Sequence, residues 1–279
     1  MLLDMKIAIQ GQEASFHDVA ARQLFGNNIE LICCETFADT FQALESDRAD
    51  FAVVAVENSL HGPIAPVYDL LLKHKPWIFR ETYLQIHQCL VGIPGAKLAG
   101  ITEVYSHMAA LSQCDGWLNT NLHRAKRFEH PDTAGAAADI AAEHDKTKAA
   151  IASQAAAKQY GLEILAKDIE DHSHNYTRFV ALSKVEQPAQ DATKTSIVLQ
   201  TANSSGALYR ALGAFDAYNI NLTLLTSRPI VGEHQRYMFY VDFEADLHSP
   251  QVKNVLSDLA VQKCDVTVLG TYNAAQLPE

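Results

Sequence analysis

The sequence predicts an α/β protein of two lobes followed by a small ferredoxin-like module. Short apolar runs alternate with capped amphipathic segments from Lys6 onward, the pattern of a parallel sheet with helices on both faces. After an extended, apolar-rich segment at 82–93 the alternation begins again, so the chain passes from one lobe into another. Beyond a polar, proline-containing run at 186–191, the order becomes βαββαβ, which suits a ferredoxin-like sandwich.

The first strand is expected at 6–10. Gly11-Gln12-Glu13-Ala14 then turns, and Ser15 caps a helix over 16–25 that Gly26-Asn27-Asn28 stops. A strand at 29–34, a helix at 36–47 and a fully buried strand at 51–56 follow. The last ends at Glu57-Asn58-Ser59, beyond the carboxyl edge of a sheet, where small ligands bind in such folds. A helix at 63–72 precedes the crossing. In the second lobe a strand ends at Ser106-His107, and a helix covers 109–120. Asp132-Thr133 caps an alanine-rich helix to about His144, a strand spans 149–153, and a helix over 154–160 stops at Gly161. In the last module strands are expected at 195–201, 222–227, 235–243 and 266–272, with helices at 205–218 and 250–260.

Composition narrows the function. Of 279 residues, 48% are apolar, and 22 Lys plus Arg face 33 Asp plus Glu, a formal charge of −11 with the basic residues scattered. Nucleic acid is therefore not an expected partner. Five cysteines, Cys33 and Cys34 adjacent and none in a Cys-x-x-Cys pair, indicate reduced thiols rather than a disulfide framework or a zinc site. The start lacks a signal peptide's basic and apolar regions, and no apolar run is long enough to cross a bilayer, so the expectation is a cytoplasmic protein without membrane partners.

Polar chemistry concentrates at 171–178, where Asn175, Thr177 and Arg178 offer an amide, a hydroxyl and a five-donor fork ahead of an apolar strand beginning at Phe179. Asp171, His172 and His174 lack a further metal ligand at a usable spacing, so no metal is expected. Gly95 and Gly100 share a phosphate loop's spacing but lack its lysine, and no Gly-x-Gly-x-x-Gly occurs, so no nucleotide cofactor is expected. Ser106-His107 lacks a nucleophile elbow and reads as a capping serine rather than a hydrolase dyad.

Several motifs in this order resemble the prephenate dehydratase family with a C-terminal ACT domain. They are Thr177-Arg178-Phe179, Glu57-Asn58-Ser59 with Gly62, Ser106-His107 with Leu111 and Gln113-Cys114, Thr133-Ala134, Gly206-Ala207-Leu208 and Ser227-Arg228-Pro229. The chain departs from the family pattern at 11–17, at Met108 and Gly135, and at Thr226, where glutamate is usual. The resemblance implies a two-lobed catalytic domain over 1–187, similar to type II periplasmic binding proteins with the active site between the lobes, and an ACT regulatory domain over 192–273. Without a mutase bundle ahead of it, a monofunctional dehydratase is expected.

The implied reaction removes the ring carboxylate of prephenate as CO2 and its 4-hydroxyl as water. Aromatisation drives it, so no cofactor is required. The resemblance assigns Thr177 to hold the leaving hydroxyl, with Glu57 or His107 as the proton source; the residues alone do not choose between them. Asn58, Ser59, Thr133, Asn175, Arg178 and Phe179 are the implied substrate contacts. Gly206, Ala207, Leu208, Ser227, Arg228 and Pro229 are the implied L-phenylalanine site, in a homodimer or homotetramer. Arogenate dehydration and non-catalytic capture of a small carboxylate are the alternatives.

Overall fold

The computed structural model describes residues 5–230, 232 and 236–278. The start at 1–4 and Gln235, the first residue of the strand expected at 235–243, lie outside the described residues. The first lobe runs β1 (Met5–Gln10), α1 (Phe16–Phe25), β2 (Ile29–Cys34), α2 (Phe37–Glu45), β3 (Phe51–Asn58), β4 (Gly62–Pro63), α3 (Ala65–His74) and β5 (Trp77–Gln85). Local chemistry sets its bounds. The Ser15 hydroxyl accepts from the Asp18 amide at the start of α1, Gly26 ends that helix at φ 84°, and Thr36 with Asp39 forms a reciprocal capping box on α2.

After the crossing at 86–88, the second lobe runs β6 (Cys89–Gly92), β7 (Glu103–Ser106), α4 (Met108–Gln113), α5 (Asp115–Asn121), β8 (Lys126–Glu129), α6 (Thr133–Glu143), β9 (Lys148–Ala152), α7 (Gln154–Gln159) and β10 (Glu163–Ala166). The single helix expected at 109–120 is two, divided at Cys114. The chain then returns to the first lobe as β11 (Tyr176–Ser183). The first sheet has the order β2-β1-β3-β11-β5 and the second β10-β6-β9-β7-β8. Neither is purely parallel, as had been expected. In each lobe the strand that enters from the other lobe, β11 in the first and β6 in the second, runs antiparallel to its neighbours. Two α/β lobes joined by two crossings match the type II periplasmic-binding-protein arrangement.

Residues 194–272 form β12 (Lys194–Gln200), α8 (Ala207–Ala217), β13 (Leu222–Pro229), β14 (Tyr237–Phe243), α9 (Pro250–Val261) and β15 (Asp265–Tyr272), in the antiparallel order β13-β14-β12-β15. This is the expected ferredoxin-like βαββαβ unit. One face of its sheet packs on α8 and α9 through Ile197, Leu199, Val241 and Phe243. The other joins the first lobe's core, where Val198, Tyr240, Leu269 and Tyr272 meet Val54, Val56, Ile78 and Val180. The Tyr240 hydroxyl donates to the Tyr68 carbonyl at 2.6 Å, and Gly270 passes so close that a Cβ there would sit 1.9 Å from the Ile78 carbonyl oxygen. The module is thus built into the first lobe's wall. Among the described residues, no helix is long and apolar enough to cross a membrane.

Candidate active site

Between the lobes lies a cavity of about 370 Å³, within the usual range for a small-molecule site, lined from the first lobe by Ser15, Phe16, His17, Ala55, Asn58, His61, Thr177 and Phe179. The second lobe supplies His107, Ala109, Ala110, Gln113, Asp132 and Thr133, and Gln88 lies at the crossing. A second cavity adjoins it, sharing Gln10, Pro131 and Asp132 and adding Glu13 and Glu35.

Asn58 organises the first lobe's side. Its Oδ1 accepts from the backbone N–H groups of Leu60 and His61, both at 3.1 Å, which fixes the amide's orientation. Its Nδ2 then donates to Asn175 Oδ1 at 2.7 Å, Thr177 Oγ1 at 3.0 Å and the Tyr176 carbonyl at 3.2 Å. Because Nδ2 can only donate, the Thr177 hydroxyl accepts there and keeps its own proton for a ligand.

A β-bulge decides which side chains reach this wall. β11 pairs Thr177 with Asn58, Arg178 with Glu57, and Phe179 with Ala55, so Val56 is the extra residue. The bulge turns Asn58 toward the cleft and Glu57 to the reverse face with Arg178. Four implied roles are corrected by the local geometry, those of Glu57, Arg178, Ser59 and Asn175. Glu57 does not line the cleft, and its carboxylate sits near Tyr83, whose pKa is pushed up to about 12 by burial and nearby negative charge. Arg178 does not meet the cleft either: β11 begins at Tyr176, not Phe179, and strand alternation places Arg178 opposite Thr177 and Phe179. Ser59 uses its hydroxyl to donate to the His174 carbonyl and accept from the Tyr176 amide, holding the 174–176 turn.

Asn175 is fully buried behind Asn58 and touches no cleft surface, while its Nδ2 has no hydrogen-bond partner. Thr133, at the first turn of α6, does line the cleft. Asp132 caps that helix by accepting from the Ala134 and Gly135 amides at 3.1 and 2.8 Å. His107 faces the cleft from the second lobe. Its Nδ1 accepts from the Ala109 amide at 3.2 Å, so the neutral ring carries its hydrogen on Nε2. Phe179 stacks edge-on against His17, with ring centroids 5.2 Å apart.

His17, which sequence reasoning passed over, lies on the same wall. Its Nε2 accepts from the Ala55 amide at 3.3 Å, and burial pushes its pKa down to about 4, so the ring is neutral with a hydrogen on Nδ1. Among the described residues lining the cavity, the polar groups are amides, hydroxyls, imidazoles and the Asp132 carboxylate, without Lys or Arg. Ser106 is excluded as a nucleophile, since its buried hydroxyl donates to the Ile151 carbonyl at 2.7 Å.

Asp171, weighed above with His172 and His174, accepts from the Gly116 and Trp117 amides at the start of α5. Among the described residues, the group with metal-compatible spacing lies instead at the crossings, where His87 Nδ1 is 3.2 Å from Asp168 and 3.0 Å from Glu170.

In the last module, Ala207 and Leu208 line a cavity of about 140 Å³ with Asn203, Ser204, Tyr237 and Phe239. Gly206, in the left-handed region at φ 74°, caps α8 beside it. Ser227, Arg228 and Pro229 do not reach this cavity within the chain; they lie on the edge strand β13, and Arg228 pairs with Asp69 of α3 at 2.6 Å.

Comparison with known proteins agrees with this architecture. Residues 7–187 match the family model described as prephenate dehydratase. The chain belongs to the prephenate dehydratase family. The curated relatives it matches are named as dehydratases, that is, carbon–oxygen lyases. Arogenate dehydratase 3, chloroplastic, of Arabidopsis thaliana is 39% identical over 287 residues, covering 96% of this chain and 67% of that protein. The solved prephenate dehydratase of Arthrobacter aurescens in complex with L-Phe shares 26% identity at TM-score 0.87, covering 97% of this chain and 90% of that one. GqqA, titled a novel type of quorum quenching acylase, shares 32% identity at TM-score 0.86, covering 96% and 98%.

Proposed function

We propose that the protein converts prephenate to phenylpyruvate, water and CO2 in the inter-lobe cleft, under feedback control by L-phenylalanine. The observation that carries this reading is the Thr177 hydroxyl, locked by Asn58 with its proton directed to a ligand. The reaction consumes one proton: the 4-hydroxyl leaves as water while the ring carboxylate's C–C electron pair enters the ring. Thr177 orients the leaving oxygen, and its hydroxyl is too weak an acid to serve alone. His107, on the opposite lobe, is the proton source now that Glu57 faces away; it acts as the imidazolium, in which Nδ1 takes a proton in place of the Ala109 hydrogen bond. The substrate's carboxylates meet the Thr133 hydroxyl and the Nδ1–H of His17 instead of an arginine clamp.

Arogenate is a second reading. The absence of Lys and Arg from the cleft lining, with Asp132 in it and Glu13 and Glu35 beyond, suits a substrate in which an ammonium offsets one carboxylate. Relatives named arogenate dehydratases favour it too. Effector binding rests on the small cavity beside Gly206 and on the L-Phe complex of the Arthrobacter relative. A second subunit placing Ser227–Pro229 against that cavity would complete it as a homodimer or homotetramer, in the cytoplasm.

Steady-state assays with prephenate and with arogenate, following phenylpyruvate and phenylalanine respectively, test the reading. Thr177→Ala is expected to lower kcat about 10²- to 10⁴-fold with circular dichroism unchanged. Absence of turnover with either substrate would move the protein to the ligand-capture alternative.

A further inference from the structure

Behind the catalytic wall, four charged side chains are buried where the C-terminal module meets the first lobe. Arg178 Nε donates to Glu81 Oε2 at 2.6 Å, Nη1 to Asp242 Oδ2 at 2.5 Å, and Nη2 to the Tyr272 hydroxyl at 2.8 Å. Lys194 Nζ donates to both oxygens of Glu81, at 3.1 and 3.0 Å, and Tyr272 shares a 2.6 Å hydrogen bond with Ser196. Arg178 and Glu81 belong to the first lobe; Asp242, Tyr272, Lys194 and Ser196 belong to the module. All are at most 6% exposed. Burial alone would push the Arg178 pKa down, but Asp242, Tyr272 and Glu81 hold it well above its ordinary value, so its charge is permanent.

Adhesion does not account for this cluster. The shared apolar core already joins the two parts, and a buried ion pair seldom gains more from attraction than it loses in desolvation. What such a pair supplies is geometry: a planar guanidinium held by two carboxylates and a phenol permits one placement of the backbone that carries it. Arg178 immediately follows Thr177 on β11, and Thr177 is the group whose hydroxyl is aimed into the cleft.

We propose that Asp242 and Tyr272 of the C-terminal module are positioning residues for the reaction, fixing Thr177 in the cleft through Arg178. The assignment rests on the dehydratase reading for its kinetic consequence, and on the network alone for its structural one. It makes the module part of the catalytic apparatus, so that any ligand shifting β14 or β15 shifts the hydroxyl with them.

Tyr272→Phe in the full chain removes one oxygen and keeps the buried ring; Asp242→Asn removes one charge and keeps the shape. Per folded molecule, kcat is expected to fall about 3- to 10-fold in Tyr272→Phe and further in Asp242→Asn, with KM within about twofold. A purely structural role would lower Tm and the yield of folded protein while leaving kcat per folded molecule unchanged, and that outcome in both variants would overturn the proposal. Amide hydrogen exchange supplies a readout independent of turnover. Residues 176–179 should exchange at least about tenfold faster in Tyr272→Phe, with β7 and β9 unchanged. If the wild type turns over neither substrate, the dehydratase reading fails, yet unaltered exchange at 176–179 would still overturn the positioning role.

Discussion

Asn58→Asp isolates the hydrogen-bond geometry of the cleft wall. The substitution keeps the acceptor for the Leu60 and His61 amides and replaces the donor facing Thr177 by a carboxylate oxygen. Thr177 Oγ1, at 3.0 Å, must then turn its proton onto that oxygen and away from the ligand. A hydrogen bond to a charged group is worth about 1.5 to 3 kcal/mol, and giving it up before the leaving hydroxyl can be bound lowers kcat about 10- to 150-fold. Folding is affected less, because the unpartnered Nδ2 of Asn175 can rotate to meet the new carboxylate. Burial raises the pKa of that carboxyl, and once protonated it can donate to Thr177 again, so kcat should recover as pH falls. Kinetics from pH 5 to 8 beside thermal unfolding provide the measurement. A kcat within twofold of wild type at pH 8 would mean that the Thr177 hydroxyl is not set by Asn58.

His17 gives a stability prediction with a definite sign. Its folded pKa of about 4 lies below the ordinary 6.5, so the unfolded chain takes up this proton first, and stability present above pH 6.5 is lost as pH falls toward 4. About 1 to 3 kcal/mol is at stake for a ring partly open to the cleft. Thermal unfolding of His17→Gln between pH 7.5 and 5 should show a shallower decline than wild type, and parallel curves would remove His17 as the cause. Gly270→Ala should destabilise by more than about 2 kcal/mol, because the new Cβ meets the Ile78 backbone at 1.9 Å. An unchanged Tm would show that the module sits less tightly on the first lobe.

What could be read from the sequence was what nearby residues decide. Ser15, Gly26, Asp132 and Gly161 each act within a turn of the chain, and the elements they bound fall where expected. The βαββαβ order was equally plain. The facing of Glu57 and Arg178 was not, because it depends on where β11 begins and on one extra residue in β3, both settled by pairing across more than a hundred residues. Strand alternation could have separated Arg178 from Thr177 had the strand been extended back to Tyr176. No local signal marks Asp242 or Tyr272 as partners of Arg178, and the half-buried His17 is one imidazole among twelve in the sequence.

The bulge at Val56 makes the chemistry of this wall a matter of counting as well as of residue identity. Were Val56 to pair in ordinary register opposite Arg178 instead of bulging out, strict alternation would bring the Glu57 carboxylate opposite Thr177 and send the Asn58 amide to the face of Arg178. A carboxylate would then stand where a neutral donor is now, without any side chain having been exchanged. In this strand, the register set by the bulge is a catalytic variable separate from residue identity.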